Sequence, residues 1–175
     1  MYEIEAKVPL ERADFERLKR ELPKIAEKKG KSEKKDFYYG NLNHLYLRIR
    51  QMDQGAILSL KSKKTEKGIE MNQEMELPVK SIKKLQSLLK KMGFECAAKK
   101  EKTTELYQSD SLKIELNKVK RLGYYLEIET IVKSEADIPK AKKRLIETFT
   151  RLGYSQKDFE KKYYLQLLDE KRKNI

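Results

Sequence analysis

Glutamates spaced two apart recur at three places in the chain: Glu3 with Glu5, Glu74 with Glu76, and Glu127 with Glu129. On a strand such a pair lies on one face, because successive side chains point to opposite sides. Paired carboxylates are hard oxygen ligands of the kind that Mg²⁺ or Mn²⁺ takes. Bases repeat the same spacing. Arg48 pairs with Arg50 and Lys61 with Lys63, while Lys7 continues the face of Glu3 and Glu5. Arginine forks match phosphate oxygens two at a time, and lysines act as point charges. Asn72 extends the face of Glu74 and Glu76, and Lys113, Glu115 and Asn117 form one more charged face. Acid-rich and base-rich strands facing one another would neutralise a polyphosphate from two sides, the acids through a cation and the bases directly.

Other chemistries find little support. A single cysteine, Cys96, gives no internal disulfide framework and is expected to be a small core residue in a reduced, cytoplasmic protein. The lone His44, beside Asn41 and Asn43, reads as a solvated loop residue, and one histidine argues against His-based zinc or Ser-His catalysis. No apolar run approaches the roughly 20 residues that span a bilayer, and no signal peptide is evident. The formal charge of +13 favours anionic partners. Much of it lies in runs such as Lys83-Lys84, Lys90-Lys91 and Lys99-Lys100, which read as solvated faces.

The elements that must hold these residues follow from periodicity. The 175 residues suit one domain, 1–175. Tyr2, Ile4, Ala6 and Val8 alternate with Glu3, Glu5 and Lys7, which predicts a first strand. Leu10 to Lys28 has helical spacing, bent at Pro23. Asp36 to Gly40 predicts a second strand. Leu45 to Met52 and Ala56 to Lys63 predict a hairpin about Asp53-Gln54-Gly55, followed by a turn to Gly68 and a strand from Ile69 to Leu77. Pro78 to Met92 predicts a helix with Ile82, Leu85, Leu88 and Leu89 buried and Gly93 as its cap. Strands are expected near 97–108, 111–116 and 124–132, then helices over 136–152 and 156–169 broken at Gly153.

In most of these strands the face opposite the charges is apolar, as in Leu47 with Ile49 and Leu112, Ile114 with Leu116. An open sheet with its charges toward water would explain any one strand. About eight strands would also let the sheet close, turning the charged faces into a lumen. The grouping of acids and bases by strand favours closure. The expected class is therefore antiparallel α+β, with closure weighed against an open sheet.

The order of motifs resembles the CYTH superfamily, which includes class IV adenylyl cyclases, thiamine triphosphatases and other triphosphate tunnel metalloenzymes. Glu3-Ile4-Glu5-Ala6-Lys7 is similar to its opening E-x-E-x-K. Lys35 to Tyr39, Leu47-Arg48-Ile49-Arg50, Leu60-Lys61 and Glu74-Met75-Glu76 resemble successive strand motifs. Lys102 to Tyr107, then Leu116 to Glu129, resemble later ones, and Tyr164 to Leu168 resembles the ending of cyclase-type members. The resemblance implies a closed eight-stranded antiparallel β-barrel with helices packed outside, in which Glu3, Glu5, Glu127 and Glu129 hold metal, with Glu74 and Glu76 supporting. It implies that Lys7, Arg48, Arg50, Lys61 and Lys102 grip a triphosphate, and that Tyr38 could assist Lys61 in proton handling. Three positions depart from the pattern: Asn72 and Thr104 stand where arginines are usual, and Asn117 where an aspartate is. Lys63 or Lys113 are candidate replacements for the missing cations. Each loss would cost about 1.5–3 kcal/mol of binding if nothing compensates.

The expected function is a Mg²⁺- or Mn²⁺-dependent enzyme acting on a nucleoside or organic triphosphate, either a cyclase releasing pyrophosphate or a triphosphatase. The alternatives are a non-catalytic triphosphate or polyphosphate-binding module and, less favoured, nucleic-acid binding, because the acids on the strand faces would repel a nucleic-acid backbone. A homodimer is compatible with the sequence.

Overall fold

The computed structural model describes residues 1–42 and 45–173; the sequence reading of His44 falls outside them. Eight strands run in the order β1 (Tyr2–Leu10), β2 (Glu27–Leu42), β3 (Leu45–Met52), β4 (Gly55–Glu66), β5 (Ile69–Pro78), β6 (Cys96–Ser109), β7 (Leu112–Val119) and β8 (Gly123–Val132). Every neighbouring pair is antiparallel, and the ring β1-β5-β4-β3-β2-β6-β7-β8 closes between β8 and β1. The fold is the expected α+β barrel. Helices α1 (Arg12–Glu21), α2 (Ile82–Lys91), α3 (Ile138–Arg151) and α4 (Tyr164–Lys173) lie outside the strands.

The barrel is inverted relative to a typical small one. Ile4, Ala6, Val8, Ile114, Leu116, Leu126 and Ile128 face outward and form the main core together with Phe15 and Leu18 of α1 and Leu145 and Phe149 of α3. A second core sets Leu89, Ile82 and Leu85 of α2 against Ile49, Tyr39 and Phe37. The helices therefore take the apolar outer faces of the strands, and the charged faces have nowhere to point but inward. No helix among the described residues is long and apolar enough to cross a membrane.

Several boundaries differ from the periodicity reading. The first helix ends at Glu21 in a 3₁₀ turn, Leu22–Lys24, and the chain re-enters the sheet at Glu27. Strand β2 is 16 residues long instead of the five expected, because residues 27–35 contain no apolar side chain whose alternation would reveal a strand. Helix α2 begins later than expected, at Ile82, where the Ser81 hydroxyl accepts from the Lys84 amide. Leu88, expected in its buried stripe, is exposed. The helix expected over 156–169 is one 3₁₀ turn, an extended link and α4. Cys96 is exposed, not a core residue; it opens β6 and its thiol meets the Ala98 carbonyl at 3.5 Å. Gly93 and Gly153 adopt φ of +86° and +91° at the ends of α2 and α3, as a left-handed terminator requires.

Candidate functional site

Strand alternation, carried round a closed ring, brings the inward side chains into one cavity of about 490 Å³. Its middle is a belt of opposed charges. Glu3 and Glu5 of β1 and Glu129 of β8 present carboxylate oxygens within 4.8 Å of one another. The register explains the meeting, since Glu5 lies opposite Glu129 on the neighbouring strand. Burial and the adjacent Glu5 push the Glu3 carboxyl up to about 7, against the opposing pull of Lys61. Glu129 is also raised, by burial first, with Lys113 opposing and Glu115 and Glu5 reinforcing. Two of these carboxyls, Glu3 and Glu129, are held against ionising by burial and by their acidic neighbours, and three hard oxygen donors so spaced fit a divalent cation such as Mg²⁺ or Mn²⁺.

The remaining acids of the expected metal set stand elsewhere in the belt. Glu127 pairs with Lys102 at 3.1 Å. Glu74 accepts from Arg48 at 2.5 Å and lies 3.8 Å from Lys61. Glu76, nearer the rim and about half exposed, is 3.9 Å from Arg48. Only Glu3, Glu5 and Glu129 form a three-carboxylate cluster among the described residues.

Of the expected phosphate-binding bases Arg48, Arg50, Lys61 and Lys102 line the lumen, Lys7 is buried beside Glu70 and is not among the lining residues, and each leans on a carboxylate. Lys7 donates to Glu70 at 2.5 Å, Arg50 grips Asp36 with two nitrogens at 2.7 and 3.0 Å, and Lys61 donates to Glu3. Lys102 lies 2.7 Å from Glu115. Burial works to lower the Lys61 pKa, but Glu5, Glu3 and Glu74 outweigh it and hold the ammonium above the usual lysine range. The Tyr38 hydroxyl donates to Asp36 at 3.3 Å. Without a ligand the lumen is thus internally neutralised, which offsets much of the cost of burying so many charges.

Sequence reasoning missed several members. Lys100, taken for part of a solvated run, is 5% exposed and sits 3.0 Å from Asp36. Burial lowers its pKa to about 8; Asp36 opposes, but Asp36 is already held by Arg50, and Lys102 and Arg50 press further in the same direction as burial. Its alternation with Lys102 was the available signal. Lys34 and Asp36 alternate likewise on β2 with Tyr38, which the sequence had singled out; Lys34 and Tyr38 line the lumen and Asp36 is buried beside them. Glu115, noted on its strand but given no role, is fully buried among bases. Lys102, Lys34 and Lys113 surround it at 2.7, 2.9 and 3.0 Å; burial works to raise it, but these three lysines hold it well below the usual carboxylate range.

Two of the departing positions meet. Thr104 lies opposite Asn117, donates to it at 2.6 Å, and the Asn117 amide reaches Glu115 at 3.3 Å. An arginine and an aspartate at these places would form an ion pair; the neutral pair removes one charge of each sign together, so the lumen's net charge is unchanged. The third, Asn72, donates to Glu3 at 3.3 Å, while its carbonyl oxygen is buried with no hydrogen-bond partner. Lys113, on β7, pairs with Glu129 at 2.7 Å and Glu115 at 3.0 Å, while Asn72 lies on β5 beside Glu3.

One end of the lumen is covered. After α3 the chain returns across it, the Glu160 amide bonding the Lys7 carbonyl at 2.8 Å. Tyr163 meets Thr65 at 2.5 Å, and Tyr164 stacks edge-on against Tyr125, ring centres 5.0 Å apart. The Lys100 ammonium lies 4.8 Å from the Tyr164 ring.

A family model of the CYTH domain matches residues 1–164. A protein of Methanocaldococcus jannaschii named "putative adenylate cyclase" is 25% identical over 174 residues, covering 95% of this chain and 98% of its own. Among solved structures, the PH1819 protein of Pyrococcus horikoshii is 30% identical with a TM-score of 0.81, covering 97% of this chain and 99% of that one. A Hippeastrum adenylyl cyclase homologue described as having a dominant triphosphatase activity shares the fold, with a TM-score of 0.70 at 19% identity over 97% and 95% of the two chains.

Proposed function

The chain belongs to the CYTH domain family, and from that premise we propose that residues 1–175 form a single triphosphate-tunnel domain, an enzyme that uses Mg²⁺ or Mn²⁺ to act on a nucleoside or other organic triphosphate. The observation that carries the reading is the lumen's division into a three-carboxylate cluster, Glu3, Glu5 and Glu129, and a surrounding set of buried bases.

Ligand entry is an exchange of partners. Lys7, Arg48, Arg50, Lys61, Lys100 and Lys102 give up carboxylates for phosphate oxygens, so few new charges must be desolvated when substrate binds. A divalent ion held by Glu3, Glu5 and Glu129, with Glu127, Glu74 and Glu76 in support, would neutralise phosphate charge and acidify a coordinated hydroxyl or water. Arg48 and Arg50 fix the phosphates in line, and Lys61 supplies positive charge to the oxygens on which charge develops. For Lys61 to handle a proton, the carboxylate charges of Glu3 and Glu5 that raise it must first be neutralised; Tyr38, tied to Asp36, orients that wall of the site. In a cyclase the substrate's 3′-hydroxyl attacks the α-phosphorus and pyrophosphate leaves; in a triphosphatase water attacks the γ-phosphorus. The relatives named for cyclase and triphosphatase activity support both chemistries.

A non-catalytic triphosphate-binding module is the second reading, favoured by the neutral Thr104–Asn117 pair and by Asn72, which leave fewer fixed charges to polarise the transferring group. Incubation with ATP, inorganic triphosphate and thiamine triphosphate, each with Mg²⁺ or Mn²⁺, distinguishes them. Cyclic AMP with pyrophosphate, or orthophosphate, marks an enzyme, and triphosphate-dependent thermal stabilisation without turnover marks a binding module. Glu5→Gln should lower turnover at least 100-fold with the fold retained; turnover equal to the parent's would remove Glu5 from the metal site.

A further inference from the structure

The inward face of the barrel is charged or polar along most of its length but changes character at one end. Met1 of the chain start, Met52 at the end of β3, Ile57 near the start of β4 and Ile131 near the end of β8 all line the same cavity. Topology puts them at one mouth. The β3–β4 turn, the start of β1 and the end of β8 all lie at the end of the barrel opposite to the β4–β5 turn, beside which Thr65 meets Tyr163. They continue the alternation of the charged belt: Ile57 follows Lys61 and Ser59 on its strand, Met52 follows Arg48 and Arg50, and Ile131 follows Glu127 and Glu129. Each of four strand ends therefore carries an aliphatic side chain where the pattern would otherwise place a charge. Ile131 is 59% exposed and Met1 80%, while Met52 and Ile57 are half-buried.

This collar also has a gap. Strand β5 pairs with β1 from Ile69 to Asn72, and among the described residues its length from Gln73 to Pro78 has no strand partner on that side. Tyr163 and Tyr164 line the cavity at the covered mouth, and the four collar residues line it at the opposite one. A triphosphate alone needs only the belt, and a rim of two methionines and two isoleucines offers it nothing. Resting on the triphosphate reading above, we propose that the Met1–Met52–Ile57–Ile131 collar is the specificity site for the substrate's organic group. The triphosphate then lies with its terminal phosphate toward Lys100, beside Tyr164 at the covered end, and its organic end at the collar. The class of substrate that fits is a triphosphate monoester whose organic group bears a flat, weakly polar ring. Thioether and branched aliphatic side chains cover such a ring without demanding particular hydrogen bonds.

The test compares dissociation constants for inorganic triphosphate, ATP, CTP and thiamine triphosphate in the presence of Mg²⁺, for the parent protein and for Met52→Gln/Ile131→Thr and Ile57→Thr. Inorganic triphosphate is the reference ligand, because it has no group to reach the collar, and its binding reports an intact fold. The parent should bind at least one organic triphosphate about tenfold or more tightly than inorganic triphosphate, and the variants should bring that ratio to within about threefold of unity. Equal affinity for organic and inorganic triphosphates in the parent, or a preference unchanged in both variants, would overturn the collar while leaving the triphosphate reading standing. Binding of none of the four ligands would overturn the triphosphate reading and the collar with it.

Discussion

At the scale of single residues, the lumen's chemistry is set by which charges are over-supplied with partners and which are short of them. Glu3 is short of positive charge, and its folded-state pKa of about 7 lies above the 4.5 of a free glutamate. The folded protein therefore holds a proton that the unfolded chain releases, a contribution present below about pH 4.5 and lost as pH rises through 7. Glu3→Gln keeps the hydrogen-bonding shape without the charge, so at pH 8 without metal it should raise stability by about 2 kcal/mol, a melting shift of roughly 4–8 °C. Mg²⁺ or Mn²⁺ should raise the melting temperature of the parent and leave that of this variant unchanged. A lower melting temperature would show that Glu3 serves mainly as the counter-charge of Lys61. Lys100 is the converse case, a base whose pKa is lowered to about 8. Its ammonium is fully formed only below that pH, so triphosphate affinity should fall as pH rises from 7 to 9, by up to tenfold per pH unit above 8. Lys100→Met should bind more weakly at pH 7 and lose that dependence; titrations at the three pH values measure both.

At the scale of elements, placement of the C-terminal segment depends on a glycine far from it in sequence. Gly68, in the β4–β5 turn, has φ of +81°, and a Cβ built there would stand 2.7 Å from the Cβ of Phe159. Phe159 is buried against Phe149, ring centres 4.7 Å apart, and it begins the extended link that leads across the covered mouth to Tyr164. Gly68→Ala adds backbone strain to a steric overlap, and should cost roughly 2–4 kcal/mol. Because the displaced segment carries Tyr163 and Tyr164, hydrogen exchange should accelerate in residues 159–170 more than in β1. Uniform acceleration would place the damage in the barrel itself. The long β2 strand makes the complementary point. Its lysine-rich half is held by pairing with β6 from Glu27 to Tyr39 and by inward ion pairs such as Lys34–Glu115, not by apolar burial. Its strand character was therefore invisible to hydrophobic periodicity.

At the scale of the molecule, stability and function occupy opposite faces of the same strands. The apolar core lies between the barrel and α1 and α3, so truncating it should damage the fold without touching the lumen's chemistry. Phe149→Ala, at a site with no solvent exposure, should cost about 3–5 kcal/mol. Any protein that remains folded at low temperature should keep the parent's dissociation constant for inorganic triphosphate. A raised dissociation constant in the folded fraction would show that the outer core also sets lumen geometry.

The sequence determined more of this protein than its low apolar content suggests. Alternation alone assigned Glu3, Glu5, Arg48, Arg50, Lys61 and Glu127 to one face of their strands, because a side chain's face on a strand is a local property with a period of two. The resemblance to the CYTH superfamily, resting on the order of short motifs, was enough to anticipate the closed barrel. Tertiary structure alone decided who meets whom. It set Glu127 against Lys102 and apart from the Glu3, Glu5 and Glu129 cluster, turned Lys100 from an apparent surface residue into a buried one, and set Thr104 against Asn117 so that two apparent losses became one neutral exchange. It also brought Tyr164 over one mouth and left four aliphatic side chains round the other. Those contacts depend on register between strands up to about 130 positions apart in the chain, and register is fixed by packing of the outer face and closure of the ring, which no local pattern encodes.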